Sequence, residues 1–345
     1  MHTGPNADAE IIRVRAPGVV GLLGAQTSGT AGPVLSVAID RDVEIAGIRT
    51  GDVVELRSER FAGTLRIPLD VVDARLVEPA WGRGIAGAVV ARRPDRGIVG
   101  SITSTLPAGA GLASSAALVV AAALALGADP DDPVTLARIA EDAELAAGGG
   151  RAGLAEPLAI VGGRHGHALL IDTATLEVTP VPLPDDVRIV VVQTAQDRAL
   201  AASTSVERGA ECAAAEAIVG ALGAASAADV DRITDPLVRR RARHVVSEHR
   251  RVRAAVAALA AGDLEGLGQL LVESHASARD DFEVSTPTAD NIVSRLARTP
   301  GVFGARLTGA GFGGCVVALA RSGTRLAPGL DAGVVRAVDG AGVVR

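Results

Sequence analysis

Between Pro107 and Asp129 the chain reads P-A-G-A-G-L-A-S-S-A-A-L-V-V-A-A-A-L-A-L-G-A-D, and these residue types in this order lend themselves to chemistry. Gly109 and Gly111 stand just before the hydroxyl pair Ser114 and Ser115, and an Ala/Leu/Val run then continues to Gly127. Alanine and leucine are strong helix formers, a serine at the head of such a run is a good N-cap, and a glycine at its end suits a left-handed stop. The pattern predicts a glycine loop feeding the N-terminus of a buried helix. Unpaired N–H groups and the positive end of the helix dipole favour an anion such as phosphate there. A tight turn before an ordinary core helix fits the same letters.

All 34 Lys+Arg residues are arginine. That excludes a Walker A Gly-Lys-Ser/Thr loop and any Schiff-base lysine. A phosphate at this loop would rest on backbone N–H groups, hydroxyls, a metal and arginine. A second cluster, Leu307-Thr308-Gly309-Ala310-Gly311-Phe312-Gly313-Gly314-Cys315, has the spacing G-x-G-x-x-G. A dinucleotide fingerprint needs a strand before it and a helix after it. The run that follows, Cys315 to Leu319, is β-like, so that reading fails on context.

The elements that must position these glycines follow from periodicity. Residues 10–66 alternate apolar and polar positions between Gly and Asp turns and read as several strands. A short helix is expected over 81–91, a strand over 100–105 entering the glycine loop, a helix over 134–147 and a strand over 166–172. After the Pro-rich turn 180–184 a strand over 187–194 opens a new domain. Helices then follow at 199–221, 236–261, 263–276 and 287–297, with strands at 306–308 and 315–320. The arginine run 239–243 shares its segment with acidic residues and reads as a solvated helix face rather than a nucleic-acid patch.

The 345 residues fit one large or two moderate domains, and 48% hydrophobic content is ample for a core. One Trp, four Phe and no Tyr make that core aliphatic. A net charge of −6 argues against a broad nucleic-acid surface. Two cysteines, Cys212 and Cys315, are too few for a disulfide framework or zinc site and suit a reduced cytoplasm. Neither a signal region nor a membrane span is expected.

The 107–118 pattern P-x-G-x-G-L-x-S-S-A-A-L resembles the second motif of the galacto-, homoserine, mevalonate and phosphomevalonate (GHMP) kinase superfamily, whose loop wraps the phosphates of ATP. The 307–315 cluster resembles the third motif of its galactokinase branch. The resemblance runs nearly end to end: Arg15-Ala16-Pro17-Gly18, the Glu207-Arg208 and Glu211-Cys212 pairs with Ser203, His244 to Glu248, Glu273 to Ser277 and Asp280 to Ser285 are all galactokinase-like. It implies an α+β fold of two GHMP-kinase domains, 1–184 and 185–345, with the active-site cleft between them. It also implies ATP and Mg²⁺ as cofactors. The nucleotide loop comprises Pro107, Gly109, Ala110, Gly111, Leu112, Ala113, Ser114 and Ser115, and residues 308–314, with Gly309 and Gly311 as nucleotide-binding residues, are expected to face it from the other domain. Ser115 and Glu144 match the family's Mg²⁺ ligands, and Trp81 its Trp near adenine. Read without the family, Glu144 is equally a solvated helix residue, and Trp81 is better explained by core packing.

The sugar side departs from the family pattern A-P-G-R-V-N-L-I-G-E-H-T-D-Y. The charge-stabilising arginine is Val19, and the sugar-binding Glu, His and Asp are Ala25, Gln26 and Ser28. The family's G-I-M-D-Q is Gly153-Leu154-Ala155-Glu156-Pro157, so the catalytic carboxylate falls on Glu156. Pro157 is expected to press Glu156 toward extended backbone. The sugar-contacting Tyr is Ser205, and of the usual pocket only Gly153 remains. The expectation is a monomeric, cytoplasmic galactokinase-family protein that binds nucleotide and a small sugar or polyol, with galactose phosphorylation weak or absent. A non-catalytic nucleotide-binding paralogue and a small-molecule kinase for another substrate are the alternatives.

Overall fold

The computed structural model describes residues 10–27, 29–107, 109–148, 153–195, 201–326 and 328–344, and for residues 201–203 the backbone only. The alternating N-terminal segment forms β1 (Glu10–Leu23), β2 (Pro33–Arg49), β3 (Val53–Ser58) and β4 (Thr64–Pro68). The Ala-rich centre forms α1 (Arg83–Arg92), β5 (Ile98–Ser104), α2 (Ser114–Ala125), α3 (Pro133–Ala146) and α4 (Ala155–Gly162), followed by β6 (His167–Asp172) and β7 (Glu177–Pro182). These strands make one sheet in the order β1-β2-β5-β3-β4, with β6 and β7 branching from β2. Every pair is antiparallel except β3 with β5.

From Ala116 to Ala125 α2 is buried at every residue but Leu118, as an apolar run without a polar face must be. Small residues allow close helix crossings, and at Gly87 of α1 even an alanine Cβ would clash, 2.0 Å from the carbonyl oxygen of Ala143 in α3.

The second half forms β8 (Val187–Gln193), α5 (Ala201–Val219), α6 (Ala227–Asp231), α7 (Pro236–Ala261), α8 (Leu264–Asp280), α9 (Pro287–Ala297), β9 (Val302–Thr308), β10 (Cys315–Arg321) and β11 (Ala332–Val335). Its sheet is antiparallel, in the order β11-β8-β10-β9. Asp235, Asp263 and Thr286 cap α7, α8 and α9 through their side chains, and proline opens α7 and α9. The last strand, β12 (Gly342–Val343), returns to pair with β1 of the first sheet. Among the described residues no helix is long and apolar enough to cross a membrane.

Several elements lie where periodicity put them, including α1, α3, α7, α9, β6 and β8. The short elements α4, α6, β11 and β12 and the strand β7, which overlaps the Pro-rich turn, carry too few residues for a period to register. The arginine run is not simply a solvated face. Helical spacing turns Arg241 inward, 1% exposed, onto Glu211 at 2.7 Å and Glu283 at 2.7 Å.

A buried charge cluster joins the two halves. Glu248 of α7 is fully buried and accepts from the Gly24 N–H at 3.0 Å, from the Ser274 hydroxyl at 2.7 Å, and from Arg251 at 2.8 Å and Arg306 at 3.2 Å. Arg306, also fully buried, reaches across to the Leu22 carbonyl at 3.1 Å, and the Thr308 hydroxyl donates to the Gly21 carbonyl at 2.8 Å.

Three histidines lie in or beside this interface, none more than 4% exposed. Burial holds His244 down at about 3 and His249 and His275 at about 4, with neighbouring arginines opposing protonation and acidic neighbours opposing that effect only in part. His275 Nδ1 accepts from the Leu307 N–H, which makes Nε2 the donor to Asp290 and fits a neutral ring. The unfolded chain takes up these protons below pH 6.5, whereas the native state refuses them until far lower pH. Their contribution is therefore complete above pH 6.5 and lost as pH falls toward 4. At pH 5 each fully shifted histidine removes about 2 kcal/mol. Urea unfolding should show a sharply lower midpoint at pH 5 than at pH 7, and His249→Leu should flatten that dependence. A midpoint unchanged between the two would show that the histidines protonate inside the native fold.

Candidate functional site

The glycine loop ends in Ala113, the N-cap of α2, which sits in the left-handed region at φ 57 with no side-chain cap. The expectation that serine caps this helix is corrected: Ser114 and Ser115 are its first two helical residues. Five other helices have their first turns closed by Asp132, Ser226, Asp235, Asp263 and Thr286. The first N–H groups of α2 have no such partner, and uncapped N–H groups at a dipole's positive end suit an anion.

The second glycine cluster lies against this loop. A Cβ on Gly309, φ 70, would stand 2.9 Å from the Gly111 carbonyl oxygen, so only glycine permits the approach. Gly311, φ 90, passes closer still to the Val284 carbonyl, 2.6 Å from where its Cβ would stand, and Phe312 N–H donates to that oxygen at 2.8 Å. On the loop's other side the Val19 N–H donates to the Leu112 carbonyl at 3.1 Å. Ala110 and Leu112 are buried anchors, whereas Gly109 is exposed and Pro107 half-buried.

Ser115 and Glu144 meet, hydrogen-bonded to one another, because α3 packs along α2. Burial raises the Glu144 carboxyl above its ordinary value, the Ser115 bond pulls it back, and the charge of Glu141 adds to the rise. A cation would relieve that cost. Mg²⁺ commonly takes one or two carboxylates and completes its shell with phosphate oxygens and water. The donor set here, one partly buried carboxylate and one hydroxyl, fits that habit.

Trp81 lies at the edge of the first core, stacked on Phe61 with centroids 5.7 Å apart, and its buried indole N–H has no partner among the described residues. Arg60, beside Phe61, donates to the carbonyls of Leu106 and Ser104, which ties this aromatic pair to the entrance of the glycine loop. Gly153, φ 79, precedes α4, and Glu156 lies half-buried in its first turn. The expected extended backbone at Glu156 is corrected. Pro157 falls in the first helical turn, where its missing N–H would have had no intrahelical partner anyway.

Gln26 takes a role that sequence reasoning missed. Its side-chain N–H donates to the Gly309 carbonyl at 2.7 Å, and its carbonyl accepts from Arg306. Both ends of the amide are thus committed to the second half of the chain, 280 or more residues away. Glu248 stands in the sequence only as a letter of a motif and Arg306 only as the first residue of an expected strand. Val19 is buried in the aliphatic core, Ala25 abuts Gly21, and Ser205 is exposed on α5. Ser28 lies outside the described residues, as does the side chain of Ser203.

Residues 78–164 match the family model of the GHMP kinases N terminal domain, and residues 255–331 that of the GHMP kinases C terminal. The chain is 41% identical over 331 residues to a galactokinase of Roseiflexus sp. (strain RS-1), covering 89% of this chain and 82% of that one. It is 36% identical over 329 residues to the Homo sapiens galactokinase, covering 89% and 83%. Among solved structures, the Lactococcus lactis galactokinase complexed with galactose matches with a TM-score of 0.84 at 28% identity, over 96% of this chain and 95% of that one. The Methanococcus jannaschii mevalonate kinase matches in fold, with a TM-score of 0.69 at 19% identity, over 97% and 100%.

Proposed function

The chain belongs to the galactokinase family of GHMP kinases, and we propose that it binds Mg²⁺·ATP between its two glycine turns while phosphorylating galactose, the family's substrate, weakly or not at all. The observation that carries the nucleotide reading is the approach of Gly309 to Gly111 beside the uncapped start of α2. In this reading the first N–H groups of α2 take phosphate oxygens, and the Trp81–Phe61 pair offers a flat face near the base. Ser115 and Glu144 would hold Mg²⁺, which when bound offsets charge on the transferring phosphoryl oxygens. In the same reading Glu156 would accept a substrate hydroxyl proton. The buried thiols Cys212 and Cys315 suit a reducing cytoplasm, and the protein acts as a monomer.

The test is thermal unfolding with and without Mg²⁺·ATP. A ligand that binds only the native state at about 100 times its Kd stabilises by about 2.7 kcal/mol. The melting temperature should rise, and Glu144→Ala should remove the magnesium-dependent part. No rise at millimolar nucleotide would mean a dead site. A kinase for another substrate is the second reading, favoured by the retained acid at Glu156. ADP release across sugars and polyols separates the two.

A further inference from the structure

On α7, Arg243, Arg250 and Arg253 stand seven and three positions apart, which lays them along one face of the helix. At 100° per residue that face is roughly opposite Glu248, so the stripe points away from the interface and the glycine turns. Arg243 is held by Asp281 at 3.2 Å. Arg250 and Arg253 are exposed and make no hydrogen bond or ion pair among the described residues.

All three line a concavity of about 430 Å³ whose facing wall, around α6, is Ala225, Ser226, Ala227 and Val230. A second hollow of about 360 Å³ shares Arg243, Ser247 and Arg250 and continues toward α8. There the buried Arg251 donates to the Ser247 hydroxyl at 3.0 Å. The nearby acids do not balance this charge. Asp280 is taken by Arg279 at 2.7 Å and Asp281 by Arg243, which leaves Asp231 against two guanidiniums. In a chain of net charge −6, such a surplus in one groove stands out from its surroundings.

Guanidinium forks match phosphate oxygens two at a time, and the groove's other wall is short aliphatic side chains with a hydroxyl. We propose that this groove binds a small phosphate ester, separate from the nucleotide cleft. Arg250 and Arg253 take the phosphate, and Ala225, Ala227 and Val230 cover its carbon frame, while the Ser226 and Ser247 hydroxyls stay engaged with Asp229 and with His244 and Arg251. The reading does not depend on what occupies the glycine turns.

The experiment is calorimetric titration of the full chain with β-glycerophosphate and, separately, inorganic phosphate at constant ionic strength. The ester should bind, and more tightly than inorganic phosphate. Arg250→Ala with Arg253→Ala should weaken it by roughly tenfold or more, the loss of about 1.4 kcal/mol. Both side chains are exposed, so the double variant should keep the parent melting temperature. Arg66→Ala, an exposed arginine on β4, and Ser115→Ala, in the first turn of α2, should bind the ester as the parent does. Loss in Ser115→Ala instead would place the phosphate at α2 and overturn the proposal. So would affinity unchanged in the double variant, equal affinity for the two probes, or no binding below about 20 mM, a free energy of only about 2 kcal/mol.

Discussion

Galactose turnover at saturating Mg²⁺·ATP is expected to fall at least about 10³-fold below the ordinary kinase range of about 1–100 s⁻¹. An arginine that balances phosphoryl charge is worth roughly 10³-fold or more, and Val19 in its place is buried among aliphatic side chains. A neutral sugar is recognised by a few well-placed hydrogen bonds. Here Ala25 has no hydrogen-bonding side chain, and Gln26 spends both ends of its amide on Gly309 and Arg306. Glu156 carries its carboxylate one methylene further out than aspartate, and about 1 Å of misplacement can cost about 100-fold. Such groups act as a unit, so Val19→Arg alone should recover little. The check is a coupled ADP-release assay with galactose. Turnover of about 1 s⁻¹ or faster would show that the pocket holds sugar through other contacts.

Glu248→Gln should lower the melting temperature by on the order of 10 °C. The amide is close in shape to the carboxylate, but it leaves Arg306 and Arg251 without their shared anion. Removing one partner of a buried pair costs about 3–5 kcal/mol, because the other charge stays buried and uncompensated. Burial alone would raise the Glu248 carboxyl. The charges of Arg306 and Arg251 and the Gly24 N–H outweigh it and hold the group at about 2, below its usual 4.5. Its contribution is therefore present above about pH 4.5 and lost as pH falls toward 2. This acid window lies below the histidine window. Because Arg306 also holds Gln26, which holds Gly309, the variant should bind Mg²⁺·ATP more weakly as well. A melting temperature within about 2 °C of the parent, or less than 1 kcal/mol, would show that water replaces the lost charge.

The nucleotide side was legible because its signals are local. A glycine pair, two serines and an alanine run specify a loop and a helix start within a dozen residues, and the strand after Gly314 ruled out the dinucleotide reading without any long-range information. The identity of the cap was not legible. Ser114 has the right chemistry, but the left-handed backbone at Ala113 decides which residue ends the loop. The geometry at Pro157 misled in the same way: the residue before proline disfavours helix as a dipeptide, yet the first turn of α4 accommodates it.

By itself, then, the sequence determined the strand and helix periods, the two glycine turns, the absence of lysine chemistry and the altered sugar motif. Only the tertiary structure decided that Gly309 lies against Gly111, that Glu144 meets Ser115, and that Glu248 and Arg306 join the halves. It also decided that Gln26 serves the interface. Periodicity and turn chemistry are set by neighbours a few positions away, whereas these contacts join residues 29 to 283 positions apart and form only when both cores are packed.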